Sequence, residues 1–135
     1  MADCVFCSIV QGKIPARKVY EDTMFLAFLD IAPSNPGHIL VIPKEHHETL
    51  LDLPEAICSK ILEVVKKVAS AATKATSAEG FNVMVNNQAV AGQLVFHSHF
   101  HIIPRYKRDG LKHWGRKDIP GQEMESIHKK IVSFI

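Results

Sequence analysis

The stretch His97-Ser98-His99-Phe100-His101-Ile102-Ile103 carries three of the chain's eight histidines at a spacing of two. Side chains alternate across a β-strand, so the pattern predicts a strand that turns residues 97, 99 and 101 to one face and Ser98, Phe100 and Ile102 to the other. At a rise of roughly 3.3 Å per residue, successive imidazoles stand about 6–7 Å apart. Histidine is not a preferred strand former, and packing gives no reason for three of them in this register. Two chemistries use such a row. The rings can chelate one catalytic metal, although positions i and i+4 of one strand converge poorly on a single ion. Alternatively they divide the labour, one imidazole attacking an electrophile while a neighbour supplies a proton or binds an anion. Imidazole suits phosphorus because near pH 7 it is neutral, attacks without prior deprotonation, and leaves readily from the phosphoramidate it forms.

Working outward, the histidine strand is expected to run from Val95 to Pro104. Before it, Phe81, Val83 and Val85 alternate with Asn82, Met84 and Asn86, a strand with unlike faces that leads into a polar loop up to Gly92. Residues 52 to about 76 form the clearest helix, with Asp52 and Glu55 spaced as a capping box and Pro54 in the first turn. Its apolar stripe is Ile57, Ile61, Val64, Val65, Val68 and Ala72, and Cys58 reads as one more small buried hydrophobe. Further upstream, Val19-Tyr20 and Met24–Leu29 flank Glu21-Asp22 as a hairpin whose second strand, nearly all apolar, is buried on both faces. Turn formers crowd residues 32–37, and His38–Ile42 follows as a strand stopped by Pro43. Cys4–Val10 is a short helix or turn, and Ile14-Pro15 is extended. Met124, Ile127, Ile131 and Phe134 mark a C-terminal amphipathic helix. Strands clustered around one inserted long helix predict an α+β fold with a mostly antiparallel five-stranded sheet, a long helix and a C-terminal helix, as one domain over residues 1–135.

Composition narrows the class. In 135 residues, 47% are hydrophobic and 22% charged, ordinary values for a globular chain able to bury a core of its own. The net charge of +2 is spread thinly apart from Arg105, Lys107 and Arg108, which does not indicate a long nucleic-acid groove. The first residues lack the pattern of a secretory signal, and no apolar run approaches the roughly 18 residues of a membrane span, so a cytoplasmic protein without membrane attachment is expected. Of three cysteines, two form Cys4-x-x-Cys7, which in a reducing compartment reads as metal or redox chemistry. With no second Cys-x-x-Cys present, histidines must supply any remaining metal ligands.

The run Ala91-Gly92-Gln93, then His97-x-His99-x-His101-Ile102-Ile103, resembles the His-φ-His-φ-His-φ-φ signature of the histidine-triad (HIT) family. Ser98 stands where that pattern prefers an apolar residue. The similarity extends through Cys4-x-x-Cys7, Ile14-Pro15, Ala27–Asp30, Pro36-Gly37-His38 and Val41-Ile42-Pro43-Lys44-x-His46, covering residues 4 to 105. Carried over position by position, the resemblance implies that His99 is a nucleophile that becomes nucleotidylated, with His38 and His101 beside the α-phosphate. It implies that Asp30 accepts hydrogen bonds from the ribose, that Asn86 and Gln93 touch the phosphates, and that Phe6, Ile9, Phe28 and Ile31 enclose the base. Substrates of this kind are nucleoside phosphoramidates or dinucleoside polyphosphates, with purines preferred. Family members that act mainly as phosphoramidases carry a serine where this chain has Leu94.

Members that open with a comparable Cys-x-x-Cys resemble zinc proteins, which here implies a structural ion held by Cys4, Cys7, His46 and His97. His47 competes with His46 for that place, and the register with Pro43-Lys44 favours His46. His113 and His128 have no partners at useful spacing and read as surface residues. The resemblance also implies a homodimer that uses the long helix and the strand after it. Two other functional classes fit the residues: a nucleotide-binding regulatory module with vestigial catalysis, and a metal-dependent hydrolase using the triad as ligands.

Overall fold

The Asp22 carboxylate accepts the backbone N–H groups of Met24 and Phe25 at 2.8 and 2.7 Å, closing the turn between the first two strands. In the computed structural model, which describes residues 3–135, the elements are α1 (Val5–Val10), β1 (Lys18–Glu21), β2 (Phe25–Leu29), β3 (Ile39–Pro43), α2 (Glu55–Thr76), β4 (Gly80–Val85), β5 (Phe100–Arg105) and α3 (Gly121–Ser133). The strands form one five-stranded sheet in the order β1-β2-β3-β5-β4, every neighbouring pair antiparallel. This is the α+β architecture that the order of elements predicts.

The central strands are buried on both faces, as their unbroken apolar runs require. On one face Phe25, Ala27, Ile39, Val41, Phe100 and Ile102 pack against Ile57, Ile61, Val64, Val65 and Val68 of α2. On the other, Leu26, Phe28, Leu40 and Ile42 pack against Phe6 and Ile9 of α1. Cross-strand partners share a face, so pairing of His101 with Leu40 and Met84 puts the histidine on the α1 side. The sheet therefore has a packing side under α2 and a chemical side under α1.

Several details depart from the sequence reading. Asp52 lies in a 3₁₀ turn, Leu50–Asp52, where its carboxylate accepts from the Thr49 backbone and hydroxyl at 2.9 and 2.8 Å. The capping pair is thus Thr49 and Asp52; α2 begins at Glu55, and Pro54 is its N-cap rather than a first-turn residue. Cys58 is exposed, one position off the buried stripe. The last strand enters the ladder only at Phe100: the Ser98 N–H donates to His47 O at 2.6 Å instead of to a neighbouring strand, and residues 95–97 bend. The C-terminal helix forms, yet Met124, Ile127, Ile131 and Phe134 stay 42–90% exposed in a single copy of the chain. Among the described residues, no helix is long and apolar enough to cross a membrane.

Candidate active site and metal centre

Three adjacent strands deliver the chemistry to one place. Asp30 follows the last residue of β2, His38 precedes the first of β3, His101 is the second of β5 and His99 lies just ahead of that strand. Antiparallel β2–β3 pairing sets Asp30 beside His38, the Asp30 N–H donating to His38 O at 2.9 Å, and the β3–β5 register, with Leu40 opposite His101, sets His101 one diagonal step from His38 on the same face. The His99 and His101 ring centroids are 4.9 Å apart, residue 99 lying outside the ladder. His38 and His101 are 5.1 Å apart, with His38 Nε2 2.9 Å from His101 Nδ1. Asp30 Oδ2 lies 3.6 Å from His38 Nε2, and its other oxygen accepts the Ala32 N–H.

Backbone partners fix where each ring carries its proton. His99 Nδ1 is 2.7 Å from His97 O, and a carbonyl only accepts, so Nδ1 holds the hydrogen and the Nε2 lone pair is left without a partner among the described residues. The Ser34 N–H donates to His38 Nδ1 at 2.9 Å, so the His38 hydrogen is on Nε2 and goes to His101 Nδ1. His101 must then carry its own hydrogen on Nε2, which is buried and meets no partner. A buried N–H without an acceptor carries a desolvation cost that an acceptor placed there removes. Burial favours the uncharged form throughout. It pushes His38 and His99 below the usual imidazole range, and His101 down to about 4, where the neighbouring His99 and His38 add to the effect.

Around this centre, Phe6 meets His99 edge-to-face at 5.1 Å, His97 at 5.8 Å and Phe28 at 5.5 Å. Phe6, Ile9 and Phe28 thus form a buried apolar wall, with Ile31 on the rim, 90% exposed. Asn86 follows β4, its amide lying 3.6 Å from where a Cβ on Gly92 would stand; Gly92 has φ +96°. A side chain at 92 would be strained by the left-handed backbone, with its Cβ in ordinary contact with that amide. Gln93 departs from the expected role. It is 2% exposed, both Nε2 hydrogens go to Glu48 O and Val95 O, and Oε1 accepts the Gln88 N–H. With no donor left for a phosphate, Gln93 braces the loop before the triad instead. Sequence reasoning missed the Ser34 N–H and the carbonyls of Pro43 and His97, because backbone groups leave no mark in residue identity. An apolar groove of about 520 Å³ lies on the packing side, along α2, away from all of these groups.

The second constellation is Cys4, Cys7, His46 and His97, whose ligand atoms all lie within 4.8 Å of one another. Cys4 Sγ is 3.4 Å from His97 Nδ1, Cys7 Sγ is 3.6 Å from the same nitrogen, and Cys7 Sγ is 3.4 Å from His46 Nδ1. A tetrahedral ion with sulfur at about 2.3 Å and nitrogen at about 2.0–2.1 Å needs S···N edges of roughly 3.6 Å. The fit is close, and His97 is prepared for it: Nε2 donates to Pro43 O at 2.7 Å, leaving Nδ1 as a lone pair toward the cysteines. His46 belongs to this set, while His47 pairs with Glu45 at 2.9 Å. These four residues could hold a metal. Asp30, His38 and His101 also cluster within 4.8 Å. There, however, His38 Nε2 would have to give up its hydrogen to ligate, moving it to Nδ1 against the Ser34 N–H, so the donors do not suit an ion.

A model of the HIT domain matches residues 11–108, and the chain belongs to this histidine-triad family. It is 46% identical over 134 residues to the adenosine 5'-monophosphoramidase hnt1 of Schizosaccharomyces pombe, spanning 98% of both chains. The crystal structure of a HIT family member from Bacillus subtilis, 38% identical, matches with a TM-score of 0.92 over 98% of this chain and 97% of that one. A zinc-bound histidine-triad protein from Mycobacterium smegmatis, 37% identical, matches with a TM-score of 0.78 over 99% of each chain.

Proposed function

We propose that the protein hydrolyses nucleoside phosphoramidates or dinucleoside polyphosphates at the α-phosphorus through a covalent nucleotidyl-His99 intermediate. One observation carries this reading: a neutral His99 with Nδ1–H pinned on a carbonyl and Nε2 unengaged, next to the orphaned His101 Nε2–H. In the first step His99 Nε2 attacks phosphorus in line and the bond to the leaving group breaks, an amine leaving with a proton taken from solvent, while His99 keeps its Nδ1 hydrogen as a nucleotidylated imidazolium; the water of the second step returns a proton to solvent. In the second, water attacks the phosphoramidate, releases the nucleoside monophosphate and restores the neutral imidazole. The His101 N–H donates to a phosphate oxygen as charge builds, and His38 holds His101 in the donating tautomer. Asp30 accepts from the ribose hydroxyls, Asn86 donates to phosphate, and Phe6, Ile9, Phe28 and Ile31 enclose a purine.

Cys4, Cys7, His46 and His97 would hold a structural zinc, whose closed ligand set leaves no position for substrate. We further read the chain as a cytoplasmic homodimer acting alone on small molecules, without nucleic acid or membrane. The hydrogen bonding of His38 disfavours the metal-dependent alternative, and the unengaged His99 disfavours a purely regulatory module. Leu94, 89% exposed, offers no hydroxyl to a leaving group, which favours leaving groups that depart without such help.

Turnover of adenosine phosphoramidate and of diadenosine polyphosphate, by wild type and His99→Asn, tests the proposal. The expectation is loss of at least ~10³-fold in kcat for the variant, AMP binding largely retained, and an adenylylated wild-type protein on rapid quench. Retention of more than a few per cent of activity would exclude His99 as nucleophile.

A further inference from the structure

We propose that Asn35 and Asp109 are positioning residues that keep His38 in the tautomer needed at the phosphate; this rests on the nucleotidyl-transfer reading above for its catalytic consequence. At Nδ1 the His38 tautomer is set by one backbone donor, the N–H of Ser34 at 2.9 Å, while Asp30 Oδ2 at 3.6 Å and His101 Nδ1 at 2.9 Å face its Nε2. Ser34 sits in the loop between β2 and β3, and Asn35 is the side chain of that loop that ties it to the rest of the molecule. It is 9% exposed, and its two Nδ2 hydrogens go to Pro104 O at 2.9 Å and Asp109 Oδ2 at 3.0 Å. Its backbone carbonyl accepts the His38 N–H at 3.1 Å, so the same residue grips the histidine's backbone.

Asp109 lies one residue beyond the stretch matched by the family model. Its carboxylate accepts five hydrogen bonds: Arg105 Nε at 2.7 Å and Nη2 at 3.1 Å, Asn35 Nδ2 at 3.0 Å, Tyr106 N at 3.2 Å and Leu111 N at 3.0 Å. The Asp109 side chain is 7% exposed. The chain takes left-handed conformations at Arg108, φ +59°, and Gly110, φ +78°, to bring it there. A non-glycine residue in that region is strained, and the arrangement persists because the carboxylate draws donors from both sides of the turn. Arg105 and Asp109 form an ion pair at the far end of β5, Arg105 lying four residues from His101. The path is contiguous: Arg105 orients Asp109, Asp109 orients the Asn35 amide, Asn35 fixes its loop, Ser34 sets His38, and His38 sets His101. Tyr106 adds a second tie to the same loop, its hydroxyl donating to Pro36 O at 2.8 Å.

The test uses full-length wild type, Asn35→Ala and Asp109→Asn, read by nitrogen-15 NMR of the His38 ring, steady-state turnover, AMP binding and thermal unfolding. Wild-type His38 should show an unprotonated Nδ1, and both variants a mixture of tautomers. We expect kcat to fall roughly ten- to hundred-fold, with AMP affinity changed less than about threefold. Asn35→Ala leaves the Arg105–Asp109 pair intact, so it remains informative if Asp109→Asn fails to fold. An unaltered His38 tautomer in the folded Asn35→Ala protein overturns the proposal, as does equal loss of kcat and AMP affinity. If wild type shows no turnover, the hydrolase reading fails while the tautomer measurement still decides this one.

Discussion

Which nitrogen of each imidazole carries its proton follows from atoms that are not side chains: His97 O for His99, Ser34 N–H for His38, and Pro43 O for His97. Neutrality is the second requirement, and burial supplies it. His101 titrates near 4 against an ordinary 6.5, and His38 is shifted the same way. Protonation would remove the Nδ1 acceptors that hold the Ser34 and His38 hydrogens. Between pH 6.5 and 4 the unfolded chain takes up protons that the folded one resists, so stability should fall as pH falls through that window. Turnover should fall with it, and since the rings interact, the acidic limb reports values belonging to the cluster. Urea midpoints and kcat/KM from roughly pH 4 to 8 check this; a rise in either on acidification contradicts the neutral-imidazole scheme. His99 and His101 are legible in the sequence because strand packing alone gives no reason to place imidazoles at period two. The role of Gln93 is not, since an amide looks the same in sequence whether it faces a phosphate or three backbone groups.

Among the elements, α1 depends most on partners. Six residues are far below the roughly 12–15 at which an isolated helix becomes even marginal. Cys4 caps it, its sulfur accepting the Cys7 N–H at 3.3 Å, and Cys7 sits in its first turn. A metal on Cys4, Cys7, His46 and His97 would therefore staple α1 over the chemical side of the sheet, where Phe6 and Ile9 build the apolar wall. Cys7→Ser should lower the melting temperature by at least ~3–4 °C, the shift that about 1 kcal/mol produces in a domain of this size, and should weaken AMP binding. Equal melting and binding with and without the thiol would mean that α1 is held by packing alone. The long helix α2 is easy to read because its stripe is regular; its start is not, since Thr49-x-x-Asp52 and Asp52-x-x-Glu55 are both capping spacings and only the fold selects one.

At the scale of the molecule, β4 is one of the two edges of the sheet, and part of its packing-side face extends past the cover of α2. Phe81 and Val83 are 48% and 42% exposed, beside Leu62 at 60%. An apolar edge strand is a template for pairing with another copy. Under the homodimer reading, Phe81→Glu should convert a dimer to monomer in sedimentation velocity, while a wild-type monomer at micromolar concentration would sink that reading. The α3 stripe is left similarly open.

Local pattern determined the elements, the α+β class, both apolar layers of the central strands and the residue types that carry the chemistry, because periodicity and side-chain chemistry are properties of neighbouring residues. Only the tertiary structure decided that His97 turns to the cysteines while His99 stands beside His101, that His46 rather than His47 joins the metal set, and that Asp109 reaches back to Asn35. Those outcomes depend on which backbone carbonyls and amides, from residues far apart in the chain, come within hydrogen-bonding distance of each ring, and no residue's identity encodes that.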